Sequence, residues 1–189
     1  KKIRWHMVPK EYDPDKAKFY LKEAGLSSVD VNLSVSDGAF AGAVDAGQLY
    51  QNSGAAAGVN INIVQEPADG YWSNVWLKKP WCACYWSGRA TEDWMFSTAY
   101  ESGVPWNDTG WENERFQSLL MQGRAELDTG LRGEIYREMQ AICRDEGGTV
   151  VPMYQNYVDA KSNRVEHSGQ TGNLWMLDNL RSCKRWWSA

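Results

Sequence analysis

Two short runs of alternating apolar and polar residues, "VDVNLSVS" at 29–36 and "VNINIV" at 59–64, flank a stretch built largely from alanine and glycine. Alternation with a period of two sends one face of a segment to a core and the other to water, so both runs read as strands. The stretch between them, "AFAGAVDAGQLYQNSGAAA" at 39–57, fits a helix whose small face carries Ala43, Gly47, Tyr50 and Gly54. A helix with such a face can lie unusually close to a sheet, and Gly58 is placed to end it. Two strands joined through a helix pair in parallel by a right-handed crossover. A short helix expected near 69–78 and a third strand at 81–86, "WCACYW", extend the pattern to βαβαβ. The expected class is therefore α/β, with a parallel or mixed sheet and flanking helices.

Upstream, "YDPDKAKFYLKEAG" carries helix punctuation: Asp13 to accept free amides of the first turn, Pro14 at the first helical position, and Gly25 for a left-handed cap. Ala17, Phe19, Tyr20, Leu21 and Ala24 are expected to supply its buried side. Downstream, three helices are expected, at 91–101, 113–127 and 129–146. On the second, Phe116, Leu119, Leu120, Gly123 and Leu127 share a face; on the third, Leu131, Ile135, Met139, Ile142 and Cys143 do. Asn113 and Asp128 are the expected N-caps, and Gly147-Gly148 closes the pair. "TVVPMY" at 149–154 reads as a strand that its proline confines to an edge or a hinge. The polar tail 155–189 has too few apolar residues for a domain of its own.

Of 189 residues, 43% are hydrophobic and 23% charged, a globular composition, and the net charge of −4 argues against a nucleic-acid surface. No apolar run approaches the roughly 20 residues of a membrane helix. The N-terminal "KKIRWHMVPKEYDP" has neither an initiator Met nor a signal-peptide core, and it reads as the interior of a longer chain. Cys82, Cys84, Cys143 and Cys183 lack metal-ligand spacing, and His6 and His167 are the only histidines, so buried thiols or one disulfide are favoured over a zinc site. No metal or cofactor is expected.

Eleven tryptophans are several times ordinary usage, and two of them, Trp86 and Trp94, fence an arginine in "YWSGRATEDW" at 85–94. Ligand platforms use such aromatics, although a surface Arg stacked on a Trp is an equally ordinary arrangement. Catalysis is disfavoured there. Ser87 lacks a nucleophile-elbow context and a nearby histidine, and the adjacent Glu92 and Asp93 diverge on a helix, where they complement its N-terminus. A carbohydrate-binding module would suit the tryptophans, but such modules are usually β-sandwiches. A protein–protein module would need a continuous apolar stripe that is not evident.

The order of the pieces resembles the extracellular solute-binding proteins of the peptide/nickel/opine class (family 5), which serve ABC importers. The residues that carry the resemblance begin with Asp13-Pro14-x-Lys16-Ala17-Lys18, followed by Leu21, Ala24 and Gly25, and continue with Ala57-Gly58-Val59. Further along they are Trp106, Asn113, Phe116-x-x-Leu119-Leu120, then Arg132, Tyr136 and Gln140, and Val150-Val151-Pro152. The resemblance implies a two-lobed protein that closes on its ligand. Residues 1–10 would then be a hinge segment, 11–154 the C-terminal lobe and 155–189 a return toward an N-terminal lobe. It implies a periplasmic or extracellular monomer that binds a peptide-like or other small solute and delivers it to permease subunits. In similar peptide-binding proteins this loop has a Trp followed three residues later by an Asp that grips the peptide's amino terminus. Trp86 fits that pattern, but Arg89 reverses the charge, which points to an anionic group on the solute. The expected ligand-binding residues are Trp86, Ser87, Gly88, Arg89, Thr91, Trp94 and Asn156.

Overall fold

β1 (Val29–Val35) and β2 (Val59–Gln65) pair in parallel along their whole length, from Val29 opposite Val59 to Val35 opposite Gln65. The computed structural model describes residues 11–172 and 174–189, so the hinge expected at 1–10 lies outside the described residues. The chain is organised as two compact units, 1–86 and 87–189.

In the first unit, α2 (Ala43–Ala55) connects the two strands and lies against one face of the sheet. The closeness depends on its glycines. A Cβ on Gly47 would stand 3.0 Å from Val35 Cγ1, and one on Gly54 would stand 2.9 Å from the Val59 carbonyl oxygen. The packed face of the sheet supplies Leu33, Val35 and Ile61, all buried. On the other face, Asn60 donates to Asp30 and Asn62 to Asn32, each at 2.8 Å, so the alternation read from the sequence is realised in the first part of the strands, whereas Leu33, Ser34 and Val35 are all buried. The helix starts at Ala43, later than expected. Ser36 Oγ and Asp37 Oδ1 accept from the Gly38 and Gly42 amides, and Gly42 is left-handed at φ 81°, which holds 37–42 as a turn.

The third strand is reduced to a single parallel bridge between Ser34 and Cys82. Ser34 donates to the Trp81 carbonyl and Ala83 to the Ser34 carbonyl, after which the ladder stops. The Ala83 carbonyl, which a continuing strand would turn toward β1, instead accepts the Tyr71 hydroxyl at 2.7 Å, and the same hydroxyl reaches the Ser34 carbonyl at 3.2 Å. Burial, helped by the Cys82 and Cys84 thiols, raises the Tyr71 pKa well above its ordinary value and keeps the phenol a donor. The helix expected over 69–78 is confined to α3 (Tyr71–Asn74), and Leu77 beyond it is left-handed at φ 60°.

α1 (Pro14–Glu23) has the expected cap, Asp13 Oδ1 accepting from the Lys16 amide at 2.8 Å, and Gly25 is left-handed at φ 74°. Its apolar side is not buried as expected. Phe19 and Tyr20 are 56% and 60% exposed, and only Ala17 and Leu21 of the five are half-buried. Leu21 is the residue that approaches Gly58, so the helix meets the unit along a narrow line rather than a face.

In the second unit, α5 (Glu114–Ala125) packs against α4 (Glu92–Ala99) on one side and α6 (Thr129–Glu146) on the other. Phe96, Phe116, Leu119, Leu120 and Met139 form the core, with Ile135, Tyr136, Ile142 and Cys143 against it. Both predicted caps form: Asn113 Oδ1 accepts from Phe116 N at 2.9 Å, and Asp128 Oδ1 accepts from Gly130 and Leu131. Two residues assigned to the buried faces are instead exposed, Leu127 at 90% and Leu131 at 54%. α5 ends at Ala125 and Glu126 is extended, so Leu127 leaves the helix, and Leu131 sits in the first turn of α6, alongside that end. None of the four cysteines is in a disulfide, and burial pushes the Cys143 thiol up to about 12, which leaves it a poor nucleophile. No helix among the described residues is long and apolar enough to cross a membrane.

Residues 149–154 do not form the expected strand. Pro152 has no amide to give a ladder, and Val150, Val151 and Met153 are all exposed. The tail contains pairing that its composition does not suggest: β3 (Val165–His167) runs antiparallel to β4 (Trp186–Ser188), with His167 opposite Trp186. Amide hydrogen exchange is expected to be fastest across 150–162, and slower by roughly 100-fold or more in the middle of β2, because exposed backbone outside a ladder opens first. Equal protection in the two segments would contradict this reading of 150–162.

Candidate functional site

Ser87 opens the second unit, and the short run to Thr91 leads directly into α4. Thr91 caps that helix, its hydroxyl accepting from Trp94 N at 3.2 Å, which fixes Trp94 on the first turn. Glu92 and Asp93 occupy the same turn, where carboxylates favour the helix N-terminus. Asp93 also accepts from Arg124 at 2.7 Å, and Arg124 reaches Glu101 at 3.4 Å, so both ends of α4 are tied to α5. The first turn of α4 is thus a firm base for the loop before it.

Arg89 folds back over this base. Its Nη1 donates to the Ser87 carbonyl at 2.8 Å and to the Ser87 hydroxyl at 3.1 Å, while the guanidinium carbon stands 5.4 Å from the centre of the Trp94 ring. Nη1 is therefore held by Ser87 while the guanidinium lies over an indole, which orders this donor group. Gly88 lies against the Leu174 side chain, a Cβ there standing 3.0 Å from Leu174 Cδ1. Ser87, Gly88, Arg89, Thr91 and Trp94 consequently form one constellation.

Two predicted residues remain, Trp86 and Asn156. Trp86 ends the first unit, where its ring meets Trp76 edge-on at 6.4 Å. Asn156 sits on the exposed extended run 150–162. Sequence reasoning missed the set that Trp86 belongs to: Tyr71, Trp72, Trp76, Tyr85 and Trp86 are linked by successive edge-to-face contacts of 5.5–6.4 Å. The four-residue spacing of Trp72 and Trp76 was the available signal. Trp72 and Tyr85 are 39% and 60% exposed, so the group presents aromatic surface to solvent. Chemically, the two units offer an apolar aromatic surface and an oriented cation, and among the described residues no group of His, Cys, Asp and Glu side chains is arranged to hold a metal ion.

No family model matches the chain. It is similar to the di/tripeptide-binding protein 2 of Pseudomonas aeruginosa, with 30% identity over 145 residues, 71% of this chain and 27% of that protein. Among solved structures it is similar to the periplasmic binding protein DppA of Helicobacter pylori in complex with the peptide STSA. That match has a TM-score of 0.62 and 20% identity, and covers 76% of this chain and 29% of the other. NikZ of Campylobacter jejuni, in complex with Ni(L-His), matches with a TM-score of 0.62 and 18% identity over 72% of this chain and 31% of the other. The chain thus spans about a quarter to a third of the length of these proteins. The α/β class and the resemblance to peptide- and nickel-binding proteins read from the sequence are borne out at the level of the fold.

Proposed function

We propose that this chain, which has the fold of the peptide- and nickel-binding solute-binding proteins of family 5, is the C-terminal-lobe portion of the substrate-binding component of an ABC importer. It contributes one wall of a ligand site and performs no catalysis. The similarity to such proteins over about three quarters of the chain supports the reading. A carbohydrate-binding sandwich does not fit, because the described residues form helices and two small two-stranded sheets. Residues 154–160 make the crossing toward the other lobe, and the whole protein works as a periplasmic or extracellular monomer that docks on permease subunits.

Within this reading the solute carries an acid group. Arg89 is the cation for it, oriented by Ser87 and Trp94, with Thr91 and Gly88 shaping the loop. The site lies between two lobes, so one lobe supplies only part of the contacts and none of the closure that excludes water. Calorimetry with N-acetylated dipeptides bearing a free carboxylate is therefore expected to give affinity at least roughly 100-fold lower for this chain than for the two-lobed parent protein. Equal affinity would place the whole site in this chain, and no binding of any peptide, acid or metal complex by the parent would remove the transport reading altogether.

A further inference from the structure

Residues 177–180 form a left-handed turn of four successive non-glycine residues, Leu177, Asp178, Asn179 and Leu180, with φ between 50° and 61°. L-residues avoid this conformation, so side chains must hold it. Asn179 Oδ1 accepts from the Leu174 and Trp175 amides at 2.8 and 3.0 Å, and Asp159 Oδ2 accepts from Leu177 N at 2.7 Å. The turn carries the Asp178 carboxylate inward to 3% exposure, where Oδ1 accepts from Gly172 N and from Arg185 Nη1 at 3.0 Å.

Two buried polar atoms are left over in the same place. Among the described residues, Asp178 Oδ2 accepts from no protein group, and the Trp186 indole N–H donates to none. Both residues line one pocket of about 250 Å³, together with Asp159, Lys161, His167, Thr171 and Gly172. Such atoms are rarely left without partners in a folded protein, and here one is an acceptor and the other a donor. Asp159, Asp178 and Lys161 line the pocket, and Arg185 and Glu166 pair with Asp178 and Lys161 from beside it, so charges of both signs stand at the cavity, which suits an occupant that carries both. The volume is that of about eight water molecules, too small for most drug-sized solutes.

We propose that this pocket binds a small zwitterion of the α-amino-acid kind, its ammonium on Asp178 Oδ2 and its carboxylate on the Trp186 N–H. An ammonium against a carboxylate gives the charge-assisted bond that the orphaned oxygen lacks, and the ligand's own carboxylate accepts the indole hydrogen. No residue of the Arg89 loop lines this pocket, and the proposal does not rest on the transport reading.

The test uses the 189-residue chain with isotope-labelled indole nitrogens, followed by NMR during titration with glycine. The Trp186 resonance, identified by its loss in Trp186→Phe, is expected to shift and saturate, and acetate at equal concentration is expected to move it far less. Calorimetry then separates the two ends of the ligand. Asp178→Asn is expected to weaken glycine roughly tenfold or more, and Trp186→Phe to weaken glycine while leaving methylamine unchanged. Should Asp178→Asn fail to fold, the Trp186→Phe comparison still decides. A Trp186 resonance that glycine does not move, or moves no more than acetate does, would mean the pocket holds only water and would overturn the proposal.

Discussion

Phe116→Ala is expected to destabilise the second unit by about 3–5 kcal/mol, the usual range for emptying a fully buried aromatic site. Phe116 is 0% exposed and its ring is the hub of the helical core, 5.2 Å from Phe96, 5.1 Å from Trp111 and 6.4 Å from Tyr100. Removing it leaves a cavity bounded by three other rings, and rings held edge-to-face by one another collapse poorly into a void. Leu120→Ala, at 1% exposure on the same helix, is expected to cost about 2–4 kcal/mol, and the half-buried Ile135→Ala less. Domains of this size have only about 5–15 kcal/mol in hand, so the Phe116 variant should show a large loss in urea midpoint or no cooperative transition at all. A change below about 0.5 kcal/mol for both Phe116→Ala and Leu120→Ala would mean that these helices do not share this core.

That core was legible in the sequence because its signal is local. Phe116, Leu119, Leu120 and Gly123 recur at helical spacing between an Asn cap and an Asp cap, and each cap forms the bond its residue type suggests. The β1–α2–β2 unit was legible for a similar reason: strict alternation and a run of small residues leave few other packings. The failures arise where a distant group decides. Nothing in "WCACYW" reveals that the Tyr71 hydroxyl will take the Ala83 carbonyl and stop a third strand. Likewise α1 is amphipathic in sequence, but how much of its apolar side is covered depends on what surface it meets, which periodicity does not encode. The left-handed turn at 177–180 is the extreme case, because its conformation depends on side-chain acceptors at Asp159 and Asn179 rather than on glycine. For the candidate site, the loop and its cap at Thr91 could be read directly, whereas the contact of Trp86 with Trp76 required the fold.

On the proposed reading of this chain as one lobe of a larger protein, Arg89→Ala in that protein is expected to weaken binding of an acid-bearing solute by about 2–5 kcal/mol, the scale for truncating one partner of a buried charge pair. Orientation is what makes Arg89 an effective anchor. Ser87 holds Nη1 through two acceptors and the guanidinium lies over the Trp94 ring, so the group is already ordered before a ligand arrives, and less entropy is lost on forming a bidentate contact with a carboxylate. Closure of a second lobe would then remove water and strengthen the pair. Arg89→Lys is expected to recover only part of the loss, since an ammonium can neither form the fork nor stack on Trp94 in the same way. N-acetylated dipeptides with a free carboxylate should show the full effect, and C-amidated dipeptides with a free amine should show little or none. That contrast separates an anchor from a residue that merely shapes its loop, because a loop-shaping role would weaken both ligands alike and would also lower the melting temperature. Affinity for the anionic peptides within a factor of two of the parent's would leave Arg89 as a stacked structural side chain. The acid group would then have to be met by another residue, and the reversal from the Asp of similar peptide-binding proteins would carry no information about the solute.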